Sequence, residues 1–143
     1  IEKLWAQAIE RADRLPAAAL NQQVNEEWSF AQTLRHLVFI TDAWASRTVL
    51  DEEMPYHPIG LPQSWYPAAD AAALGIDVTA QPSYDDILAA RADRMALMRR
   101  IVAGLTDADL GRLCQRPPAP GYPDLRFSGV RRQLQVSAKL VGF

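Results

Sequence analysis

The 143-residue chain has a single cysteine, Cys114, and only two histidines, His36 and His57. One thiol excludes an intramolecular disulfide framework and any cysteine-rich metal knuckle, and it suits a reducing compartment. No apolar run approaches the length of a membrane span, and the opening Ile-Glu-Lys-Leu-Trp lacks the basic stretch and apolar core of a secretory signal. The expected location is therefore the cytoplasm, with no membrane partner. A basic surplus is missing too: Lys and Arg number 15 against 17 Asp and Glu, a net charge of −2. Such a balance does not neutralise phosphates, so nucleic acid is not an expected partner. Phosphate-binding glycine loops, dinucleotide fingerprints, nucleophile elbows, His-Glu-x-x-His and calcium loops are all absent. What is present is the composition of a folding chain, 49% hydrophobic and 22% charged, in a length that suits one domain over residues 1–143.

The ten prolines fall in three groups: Pro16 alone, five from Pro55 to Pro82, and four from Pro117 to Pro123. Proline costs about 3 kcal/mol inside a helix, so the proline-free stretches between them are the expected helices. In the first, Ile1 to Leu15, the residues Leu4, Trp5, Ala8, Ile9, Ala12 and Leu15 form one apolar stripe. The second opens at Ser29, three residues before Gln32 as in a capping box, and fades near Leu50. Its expected inner face is Phe30, Leu34, Leu37, Thr41, Trp44, Ala45 and Thr48. Ser83 caps the third, whose face reads Tyr84, Ile87, Leu88, Met95, Met98 and Val102, and Gly104 is its stop. A short capped turn is expected from Thr106 to Leu113. A fourth helix is expected over Phe127 to Phe143, with Val130, Leu134, Ala138 and Val141 at helical spacing.

Amphipathic helices without a strand pattern must pack on one another, which makes a four-helix bundle the expected architecture. The connection from Asp51 to Pro82 far exceeds the usual two to eight residues between bundle helices. A connection of that length can return along the whole second helix, roughly 30 Å, leaving helices two and three parallel.

Few residues carry chemistry. His36 stands at the edge of the second helix's stripe, where an imidazole either packs at a core boundary or ligates a metal, the latter needing further donors. His57, within Met54-Pro55-Tyr56-His57-Pro58, reads as a loop residue. Arg91 falls inside the apolar face of helix three, so its guanidinium must be paired, reach the rim, or face a cavity for an anionic ligand. Arg94, Arg99 and Arg100 read as solvated face or helix end. Trp65 and Tyr66 could line a pocket mouth beside Arg91. Cys114 has no histidine near it in sequence and reads as structural, and no residue stands out as catalytic.

The run from Val24 to Leu37, with Trp28-Ser29 and His36, resembles the opening of helix two in the DinB/YfiT-like superfamily. His57 to Pro62 and Gly104 to Leu110 carry the same likeness, which spans about Ile1 to Arg131. The resemblance implies an up-down-down-up four-helix bundle. It implies a divalent metal, zinc or nickel, held by one histidine of helix two and two of helix four, with His36 as the helix-two ligand. It also implies, for some members, transferase or isomerase activity using mycothiol, bacillithiol or glutathione. From Val130 to Phe143 there is no histidine, so the helix-four pair of that pattern is missing. Two readings of function stand side by side: a metal-dependent thiol transferase, and a non-catalytic, metal-free bundle that holds a small ligand at Arg91, Trp65 and Tyr66 or meets a partner. A fourth helix stopping at Phe143 would leave an apolar groove for a second copy, so a homodimer is expected.

Overall fold

A computed structural model describes residues 2–112 and 114–122. Among the described residues the regular structure is helical, with no strand. The helices are α1 (Glu2–Ala12), α2 (Ala17–Leu20), α3 (Phe30–Thr41), α4 (Ala68–Ala73), α5 (Tyr84–Gly104) and α6 (Asp107–Gly111), and α3 runs directly into a π-helical segment, Asp42–Val49. The expected fourth long helix, Phe127 to Phe143, lies outside the described residues.

Local chemistry explains where the helices begin and end. Ser29 and Ser83 each accept a hydrogen bond from the amide three residues on, while Gln32 and Asp86 reach back to the capping residue's own amide. Thr106 and Asp109 repeat the device on α6. Each box satisfies amides that the first helical turn leaves without partners. The first helix stops at Ala12, earlier than its stripe suggests, and the amides of Arg14 and Leu15 close turns on Arg11 and Ala12 instead. Gly104 is the last residue of α5, followed by Leu105 in an extended conformation.

Contacts give the directions of the long helices. Glu2 pairs with Arg99 at 2.8 Å, and Trp5 lies under Arg91, so α1 is antiparallel to α5. Leu34 shares a buried cluster with Ile87, Asp42 pairs with Arg94, and Val49 and Leu50 face Leu97 and Ile101. Residue numbers rise together along this seam, so the second and third long helices run the same way, and the chain between them must travel back.

That returning connection is packed, not draped. Phe39, fully buried, stacks on Tyr56 with ring centres 6.0 Å apart and also meets Tyr66 and Tyr122, while Ala71, Leu74 and Ile76 complete the cluster. A side chain at Gly60 would come within 3.1 Å of the His57 carbonyl and 3.4 Å of Phe39 Cβ, so a larger residue would need these neighbours to give by a few tenths of an ångström. The 117–122 segment is strapped onto the connection by hydroxyls: Tyr56 donates to the Pro118 carbonyl at 2.5 Å and Tyr66 to that of Pro120 at 2.9 Å. Burial pushes the Tyr56 hydroxyl up to about 12, which keeps it a donor.

Because the connection covers one side of α3 and α5 the other, burial on α3 is displaced from the expected face, of which Phe30, Leu37 and Thr41 are only partly buried. Ala31, Arg35, Val38, Phe39 and Asp42 are buried together with Leu34. No helix among the described residues is long and apolar enough to cross a membrane.

Candidate functional site

The capping box at Ser29 starts α3 and thereby sets the angle at which His36, two turns on, leaves the helix. Its Nδ1 donates to the Leu61 carbonyl at 2.8 Å, while the Leu61 amide donates to the Arg35 carbonyl at 3.2 Å. This clasp assigns the proton to Nδ1 and leaves the lone pair on Nε2. The Trp28 ring meets the imidazole edge-on at 4.6 Å. Burial holds His36 below its ordinary 6.5, against the opposing effect of the Leu61 carbonyl, so the ring is neutral at pH 7. A neutral imidazole anchored through one nitrogen is in the right form for a metal ligand.

The other ligands are the difficulty. Among the described residues no group of three His, Cys, Asp or Glu side chains could hold a metal ion. His57, a loop residue as expected, receives the Ile59 amide on its own Nδ1 at 3.3 Å and gives its backbone amide to Asp42 at 2.8 Å. Beyond Tyr122 the sequence holds one residue of these types, Asp124. With two histidines in the sequence, the donor set does not fit a three-imidazole metal centre. Cys114 offers no ready nucleophile either: the half-buried thiol is pushed up by burial, away from the reactive thiolate.

Arg94 departs from its expected solvated role. Its Nε donates to Asp42 Oδ1 at 2.6 Å and its Nη2 to Oδ2 at 3.2 Å, and Asp42 has only 1% of its side chain exposed. Burial pushes the Asp42 carboxyl up, while Arg94 and the His57 amide pull it back. A second buried cation, Arg35, reaches the carbonyls of Ile59, Ala80 and Asp77 at 2.8, 2.7 and 3.0 Å and thereby fastens the connection to α3. Sequence reasoning passed over both Asp42 and Arg35. The available signal was their seven-residue spacing on one side of the helix, with Val38 and Phe39 between them.

The three residues expected to share a pocket are placed in two environments. Trp65 remains 60% exposed and packs on Tyr66 and Tyr122, and Tyr66 is buried in the Phe39 cluster. Arg91 sits elsewhere, its guanidinium carbon 5.6 Å from the centre of the Trp5 ring and its Nη2 3.5 Å from Met95 Sδ. It lines a depression of 210 Å³ between α1, α3 and α5, with Trp5, Ile9, Leu34, Leu88 and Met95 as apolar walls.

Among the described residues the regular structure is thus all helical, and the long connection is locked onto the second long helix with a neutral histidine at the lock. Residues 1–131 match the model of the DinB superfamily, and the chain belongs to that superfamily. No curated protein and no solved structure matches it.

Proposed function

We propose that this chain is a metal-independent member of the DinB superfamily that binds a small ligand without transforming it. Its architecture on this reading is one domain over residues 1–143, an up-down-down-up bundle in which residues 127–143 form the fourth helix. The observation that carries the reading is the isolation of His36: a correctly prepared imidazole that, among the described residues, lacks the two further donors that a site with open positions requires. The proposal places the protein in the cytoplasm as a homodimer, free of membrane and nucleic acid. Exposed Leu4 on α1 and exposed Met98 and Val102 on α5 give a second copy apolar surface to cover.

A second reading is favoured by the clasp on Leu61, which orients His36 as metal-binding histidines are oriented. In it a zinc or nickel ion held by His36 and other donors would stabilise the thiolate of a low-molecular-weight thiol for group transfer. Metal content separates the two. Untagged protein exposed to zinc and nickel and then desalted is expected to retain far less than one metal per chain, and no more than its His36→Ala variant. Near-stoichiometric metal lost in that variant would overturn the metal-independent reading. Light scattering at micromolar concentration is expected to give twice the chain mass, and a monomer mass would remove the dimer.

A further inference from the structure

Arg91 carries one positive charge into an apolar wall, and among the described residues no carboxylate pairs with it. Its partners are the face of Trp5 and the sulfur of Met95, a weak acceptor that takes a single Nη2 bond at 3.5 Å and so does not match the planar fork of donors that a guanidinium offers. Arg99, at the rim of the same depression, is already engaged by Glu2 at 2.8 Å. The lining therefore contains two cations and one anion, and its unmet charge is positive. Trp5 holds the Arg91 fork from one side and, with Leu34, Leu88 and Ile9, supplies a wall that favours hydrocarbon over water.

We propose that this depression is a binding site for a small apolar monocarboxylate, whose carboxylate meets the Arg91 fork and whose hydrocarbon body lies against Trp5, Leu34 and Leu88. The inference rests on the metal-independent, ligand-binding reading above and names its ligand class. Size narrows the class, since 210 Å³ is below the roughly 300–1,000 Å³ of pockets for drug-sized molecules. The body of a short branched or monocyclic acid suits it. Carboxylate geometry matches the guanidinium in two parallel hydrogen bonds, an arrangement that an uncharged amide of the same shape cannot reproduce.

The test uses the full chain, stripped of metal, titrated with benzoate and with isovalerate while the Trp5 indole and Arg91 side-chain resonances are followed by NMR. Benzoate is expected to bind saturably at one site, benzamide at least about tenfold more weakly, the difference a charge-assisted hydrogen bond makes. Arg91→Met is expected to reduce benzoate affinity to the benzamide level, and Arg91→Lys to restore part of it. Ala92 also lines the depression, and Ala92→Phe, which adds bulk there and leaves the charge in place, is expected to abolish binding, while circular dichroism checks that each variant is folded. Benzoate binding unchanged by Arg91→Met, equal affinity for benzamide, or absence of saturation would each overturn the site. Acid binding that appears only after zinc is added, and vanishes in His36→Ala, would instead overturn the metal-independent reading beneath it. Inorganic phosphate competing as well as benzoate would overturn the apolar half of the proposal.

Discussion

Removal of either partner from the Asp42–Arg94 pair is expected to be among the most damaging single changes to this protein. Asp42 is 1% exposed and Arg94 15%, and two direct bonds join them, so the Asp42 carboxylate cannot turn to water when Arg94 is lost. Hydrogen bonds to charged groups contribute about 1.5–3 kcal/mol each, and breaking a buried pair from one side costs about 3–5 kcal/mol. Arg94→Met leaves a buried carboxylate with the His57 amide as its remaining partner, and Asp42→Leu, which has no acceptor, leaves a guanidinium with exposed Asp93. Against a total stability of about 5–15 kcal/mol, each loss is large. The assay is urea denaturation followed by helical circular dichroism, on both single variants and the double variant. Each single is expected to lose about 3–5 kcal/mol, and the double to lose less than the two together by about 2 kcal/mol. Strictly additive losses, or singles below about 1 kcal/mol as for a surface pair, would refute the claim that this charge pair is desolvated.

Arg35→Met removes three bonds to the connection and is expected to cost about 2–4 kcal/mol, with faster amide exchange at Leu61 and Asp77; unchanged exchange there would mean that Arg35 is not the fastening. For His36 the folded value is held below 6.5, so the unfolded chain binds the extra proton first and stability, complete above 6.5, falls as pH drops below it. His36→Gln lacks this loss, so the stability gap between wild type and variant is expected to narrow between pH 7.5 and 5, and a constant gap would contradict the shift. Phe39→Ala, at the centre of the aromatic cluster, is expected to cost about 3–5 kcal/mol in the same urea assay, and a loss under 1 kcal/mol would show that the connection collapses onto the gap.

Helix positions were largely legible in the sequence because their signals are local. Ser29 with Gln32, Ser83 beside Asp85 and Asp86, and Thr106 with Asp109 act within one turn, and proline acts on its own backbone, so no distant part of the chain had to be known. The long connection was visible for the same reason, as a stretch in which proline leaves no room for a long helix, although the short α4 that follows Pro67 went unread. Family membership was legible from Trp28-Ser29 and His36. What only the tertiary structure decided is which polar groups are buried. Arg35, Asp42 and Arg94 look like surface residues on an amphipathic wheel, because the wheel has no knowledge of a connection that returns over the far side of its helix. Once that connection lies on α3, three carbonyls demand a donor and Arg35 meets them, and Asp42 demands a cation that α5 supplies. Arg91 shows the same division: its misplaced charge was plain from the stripe around it, but its separation from Trp65 and Tyr66 follows from the packing of α1, whose Trp5 lies beneath it. Periodicity records what a helix would bury alone, and burial itself is a property of its neighbours.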